Sequence, residues 1–132
     1  MSGVVIAGTL LEASAPLVAA VPLIKAWVLP QGAALPAVVV TRISRSEQQF
    51  LAAQPVRLVT ERVQVTIRAG TGDDREAILR LARRACADRT GTIAGFANAA
   101  VLLAGGGPDF MDDAATIFMG SFDLRISFNE PA

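Results

Sequence analysis

From Leu58 to Arg68 the side chains alternate with a period of two: Val59, Val63, Val65 and Ile67 fall on one side, Arg62, Gln64, Thr66 and Arg68 on the other. Successive side chains of an extended chain point to opposite faces, so this pattern predicts a strand with one face buried and one wet. Glu61 is the one polar residue on the apolar side, which places it near the rim of that face. Ala69-Gly70-Thr71-Gly72 then breaks the strand, and Thr71 or Asp73 can cap the helix that follows. In that helix Ile78, Leu81, Ala82 and Ala85 recur at helical spacing with Leu79 and Cys86 beside them. Arg80, Arg83, Arg84 and Ala87 lie opposite, and Gly91 is read as the stop. Each element has one apolar side, and each satisfies it against the other. The chain is thereby committed to a sheet with helices layered on it.

The remaining segments are read against that unit. Val4 to Ala13 is expected to be a short helix with Ile6, Leu10 and Leu11 turned inward. Pro16 opens a further turn over Leu17-Val18-Ala19-Ala20, which Pro22 ends. Leu23 to Leu29, containing Trp27, reads as a first strand and Ala37 to Ile43 as a second, with a connection marked by Pro30, Gly32 and Pro36 between them. Ser44 to Val56 turns polar and is too long for a tight hairpin, so it is read as a protruding arm. Thr92 to Leu103 is taken as a fourth strand. Ala115 to Phe128 is taken as a fifth, with Phe118, Gly120, Phe122, Leu124, Ile126 and Phe128 on one face. The expected fold is α+β, a two-layer sandwich of about five mainly antiparallel strands with two helices on one face, in the order α-β-β-β-α-β-β.

At 132 residues the chain is expected to be a single domain, 1–132. Hydrophobic residues make up 52% and charged ones 18%, a surface apolar enough that another subunit is expected to cover part of it. Twelve basic residues balance twelve acidic ones, which argues against a polyanion or an anionic membrane as the main partner. The apolar run from Val4 to Leu11 superficially copies a signal peptide. It lacks a basic residue in front and has Glu12 where cleavage would begin, so it is not read as one. The run from Ala13 to Ile24 is about half a membrane span and contains Pro16 and Pro22, and the product is expected to be soluble and cytoplasmic.

Catalytic chemistry finds little to work with. The chain has no His and no Tyr, which removes the commonest general base and metal ligand. Asp73, Asp74 and Glu76 sit where acidic residues favour the positive end of a helix. Asp109, Asp112 and Asp113 lack the alternation of a calcium loop and read as a solvated loop. Gly70-Thr71-Gly72 lacks the third glycine and the Lys-Ser/Thr of a phosphate cradle. Ser44 and Ser46 have no His to activate them. The single Cys excludes an internal disulfide and is read as core filling. No catalytic residue, cofactor or metal ligand is assigned.

The order of pieces is similar to a known family. A short helix, a strand, Pro30-Gln31-Gly32-Ala33 with Leu35-Pro36 and Val38-Val39, then Arg42-Ile43-Ser44, are followed by a long loop. A strand ending Val63-Gln64-Val65-Thr66-Ile67 comes next, then a turn and a helix entered at Arg75-Glu76-Ala77. From about Leu10 to Phe128 this resembles the tail terminator (tail completion) proteins of long-tailed phages and gene transfer agents. The Ala- and Gly-rich Phe96 to Gly107 and the loop from Arg45 to Pro55 depart from the family pattern.

The resemblance implies a structural role without catalytic or cofactor residues. Subunits close into a ring, typically a hexamer, that caps the tail tube, stops its polymerisation and offers a surface for joining the head. The implied partners are further copies of the chain, the tail tube protein and a head–tail connector, with DNA passing through the ring without specific recognition and no membrane. The implied location is the virion tail, assembled in the bacterial cytoplasm. A ring needs two different patches that meet head to tail. The expected contact residues are Arg45, Glu47, Gln48, Phe50 and Leu51 on the arm, Arg80 and Arg84 on the helix, and Asp109 and Asp112 in the acidic loop. Pro30, Gln31, Gly32 and Pro36 are read as turn-shaping residues. Rival readings are another neck or head–tail connector, a tail tube subunit, a nucleic-acid-binding module using the Arg-bearing helix, and a small metal-dependent enzyme built on the acidic loops.

Overall fold

A computed structural model describes residues 2–26, 35–47, 56–107, 110–111 and 117–131. Among these residues three helices, α1 (Ser2–Glu12), α2 (Ala15–Ala20) and α3 (Gly72–Cys86), accompany seven strands. These are β1 (Leu23–Ala26), β2 (Ala37–Glu47), β3 (Val56–Ala69), β4 (Arg89–Ile93), β5 (Phe96–Gly106), β6 (Phe110–Met111) and β7 (Phe118–Pro131). Among the described residues the strands form one sheet in the order β1-β2-β3-β7-β5-β4, with β6 paired to β7. All three helices lie in one layer: α1 crosses β1, β2 and β3, α3 covers β3 and β7, and α2 packs on α1 and α3.

The unit predicted from Leu58 to Arg89 forms as its periodicity demands. Val59, Val63, Val65, Ile67 and Ala69 of β3 are buried beneath the helices. From α3 the side chains of Ile78, Ala82, Ala85 and Cys86 come down onto them. Thr71 is the N-cap, its hydroxyl accepting the Asp74 N–H at 3.1 Å, and Asp73 and Asp74 occupy the positive first turn. β7 contributes Phe122, Leu124, Ile126 and Phe128 to the same face, and α1 supplies Val4, Ile6, Ala7 and Leu11. Each fully buried Val, Leu, Ile or Phe among them is worth about 1.5–3 kcal/mol.

Several expectations are corrected. The last strand of the chain is not at an edge but at the centre, where all 14 residues of β3 pair with β7, from Val56 opposite Pro131 to Ala69 opposite Phe118. β1 and β2 run parallel, Leu23 beside Ala37. Thr92 to Leu103 is two strands, because Ala94 (φ 53°) and Gly95 (φ 84°) fold the chain back between the paired Ile93 and Phe96. Two left-handed residues give the tight turn whose twist matches a hairpin. The helix ends at Cys86 and Asp88 takes the left-handed conformation, so Gly91 is no stop but a residue of β4 beside a bulge. The turn at Pro16 is a third helix. β2 extends to Glu47, past the Ile43 at which the sequence reading ended it.

Cys86, the last residue of α3, is buried, and burial pushes its thiol up to about 12, against a small opposing pull from Arg89. An unfolded thiol ionises near about 8.5. The folded value is the higher one, so the stability carried by keeping this thiol neutral is complete below the unfolded value and is lost as pH climbs towards the folded one. A thiol reagent at about pH 8 is therefore expected to leave the native protein untouched and to react fully once denaturant is added. Rapid native labelling would place Cys86 at the surface.

Candidate interface site

The end of β2 is shaped by a one-residue irregularity. Up to Arg42, paired with Val63, β2 keeps its alternation. Ile43 is then skipped and Ser44 pairs with Arg62. An extra residue shifts every following side chain to the opposite face. Without it Arg45 would stand on the wet side. With it, Arg45 faces Glu61 on the side the helices cover. Ile43, the extra residue, is left exposed.

Glu61 is fully buried, which corrects its expected place at the rim. One carboxylate oxygen receives Arg45 Nη1 at 2.9 Å, and the other accepts the Gly3 N–H at 3.3 Å. Gly3 lies in the first turn of α1, where backbone N–H groups have no partner within the helix. A Cβ there would stand 2.8 Å from Glu61 Oε1 and 3.2 Å from Val63 Cγ2, so only glycine lets the carboxylate reach the helix end. Arg45 continues outward: Nη2 donates to Glu130 at 2.7 Å and to Glu47 at 2.8 Å, and Arg57 donates to the other Glu47 oxygen at 2.8 Å. Hydrogen bonds from Arg45, then Arg57, hold the Glu47 carboxyl below the usual carboxylate range. Those that Arg45 donates to Glu47 and Glu130 raise its guanidinium further above its already high value. The cluster ties the ends of β2, β3 and β7 to the start of α1.

Of the side chains singled out in the sequence, Arg45 and Glu47 meet in this cluster, at the root of the segment 48–55. Gln48, Phe50 and Leu51 lie outside the described residues, as do Asp109 and Asp112 and the turn residues Pro30, Gln31 and Gly32. Pro36 follows a cis peptide just ahead of β2. Arg80 and Arg84 are exposed on α3 and share no hydrogen bond or ion pair with the Arg45 cluster among the described residues. Arg84 lines a groove of about 320 Å³ with Leu10, Pro16 and Leu81. Gly3, Arg57, Glu61 and Glu130 were not recognised as one unit. The signal was Glu61 itself, since a charge on an otherwise apolar strand face requires a partner.

The described residues contain no group of three His, Cys, Asp or Glu side chains placed to hold a metal ion. None of the described helices is long and apolar enough to cross a membrane. No family model matches the chain, and no curated protein does. Among solved structures the chain resembles one from the virion of a native gene transfer agent particle, with a TM-score of 0.67 at 12% identity. The correspondence takes in 98% of this chain and 97% of that one, so the fold, from end to end, is one also found in a gene transfer agent virion.

Proposed function

We propose that this chain is a structural subunit of a phage or gene transfer agent particle, and within it the tail terminator. The observation that carries the reading is the length of the fold likeness: neither this chain nor the virion chain has an element of any size left over. The order of segments that resembles tail terminators points to the same class independently. On this reading copies close into a ring, six in number, on the end of the tail tube. They halt its growth and present the surface to which the head connector binds, during assembly in the bacterial cytoplasm. The arm, with Gln48, Phe50 and Leu51 beyond the fixed pair Arg45 and Glu47, reaches a neighbouring subunit or the tube. Arg80 and Arg84 of α3 face Asp109 and Asp112 of the next copy. No step of this role requires catalysis.

Deleting the gene from a particle-producing strain tests the reading, with tail lengths and head attachment scored by electron microscopy. The expected result is overlong or headless tails, restored by the parent gene and poorly by a Phe50→Ser/Leu51→Ser variant that folds normally. Complete absence of tails would assign the chain to the tube. Headed tails of normal length would remove it from tail assembly.

A further inference from the structure

The sheet face turned away from the helices is polar, and one part of it is electrostatically unusual. Arg62 of β3 and Arg125 of β7 stand directly opposite each other on adjacent antiparallel strands. Like charges in that relation are unfavourable. Asp123 compensates Arg62, receiving Nε at 2.8 Å and Nη2 at 2.6 Å. Arg125 is exposed and has no carboxylate within ion-pair distance among the described residues. The two guanidiniums line a groove of about 410 Å³ whose other walls are the hydroxyl-bearing Ser44, Ser46 and Thr60 on one side and Leu103 on the other. Among the described residues neither a carboxylate nor an aromatic ring lines it.

We propose that this groove binds phosphate groups, with a nucleic-acid backbone as the extended form of that ligand. Guanidinium matches the geometry of phosphate oxygens, and hydroxyls supply the further donors that backbone phosphates commonly take. A groove crossing from β2 to β5 spans three interstrand steps, about 14 Å. That is an open trough suited to a chain of phosphates, where a lone ion would be better held by a closed pocket. Contacts to phosphate oxygens carry no sequence information, so binding is independent of base sequence. The ligand neutralises Arg125 and relieves its opposition to Arg62. The inference does not rest on the tail reading: DNA affinity is measured on purified protein, whereas the terminator role is read from tail length.

The test titrates the full-length protein with a labelled short DNA duplex and the matching single strand at about 50 and about 200 mM salt, and adds inorganic phosphate as competitor. Binding is expected to weaken as salt rises. Arg125→Ala is expected to lower affinity about tenfold and reduce the salt slope by about one, with an unchanged melting curve. The control Arg83→Ala, exposed on α3, is expected to bind like the parent. Displacement of DNA by inorganic phosphate through Arg125 would support the site and identify the free ion as a sufficient ligand. No binding of either DNA or phosphate at the lower salt would overturn the proposal. So would an Arg125→Ala protein that binds as the parent does, or loss of binding in the α3 control.

Discussion

Replacing Phe128 by alanine is expected to destabilise the protein by about 4 kcal/mol, a large part of the roughly 5–15 kcal/mol that holds a domain together. The ring is fully buried on β7, opposite Val59 on the central strand β3. It meets Phe96 edge-on, with ring centroids 5.2 Å apart and planes at 64°. Deleting it removes both the burial and that contact, and leaves a void between the central pair of strands and the helices. The surrounding sheet cannot collapse into that space, because β3 and β7 are paired along their whole length. Phe96 is only half-buried, so Phe96→Ala is expected to cost about 1–2 kcal/mol by the area it loses. Denaturant titration checks both: the midpoint falls while the slope stays constant, and the Phe128 shift is the larger by a factor of two or more. A cost below about 1 kcal/mol for Phe128→Ala would mean that β7 does not occupy the middle of the core.

What could be read in advance, and what could not, follows from the kind of information each pattern holds. Alternation along Val59 to Ile67 and along Phe122 to Phe128 tells which side chains meet the helices, and those faces are the ones buried. It does not tell which strand lies beside which, or in what direction. The central insertion of β7 and the parallel pairing of β1 and β2 were therefore hidden. Ser44 to Glu47 has no apolar period at all, because that end of β2 is kept extended by pairing with β3 and not by burying its own apolar side chains. The turn at Ala94 was missed for a related reason: alanine at positive φ is outside the usual Asn, Asp and Gly vocabulary of such turns. The skipped Ile43 matters most for the candidate site. An apolar residue there looks like one more member of a strand face, yet it is the shift it causes that carries Arg45 across to Glu61.

Arg45→Ala is accordingly expected to cost about 3 kcal/mol, far more than a surface ion pair would suggest. The variant leaves the Glu61 carboxylate buried, with the Gly3 N–H at 3.3 Å as its remaining hydrogen-bond donor among the described residues. Glu61→Leu is the milder change, about 1 kcal/mol, because Arg45 is partly exposed and keeps Glu47 and Glu130. Combining Arg45→Ala with Glu61→Leu removes the stranded charge, so the double variant is expected to be more stable than Arg45→Ala alone, with a coupling of about 2 kcal/mol. Acid unfolding supplies a second readout. The folded Glu47 carboxyl lies below its unfolded value, so its contribution is complete above about pH 4.3 and is lost as pH falls through the folded value. Removing Arg45, the larger cause of that depression, flattens the acid limb. Additive single effects would show that Arg45 and Glu61 do not act together. An Arg45→Ala protein of parental stability that nevertheless fails to assemble would move Arg45 from the root of the arm to a contact between subunits.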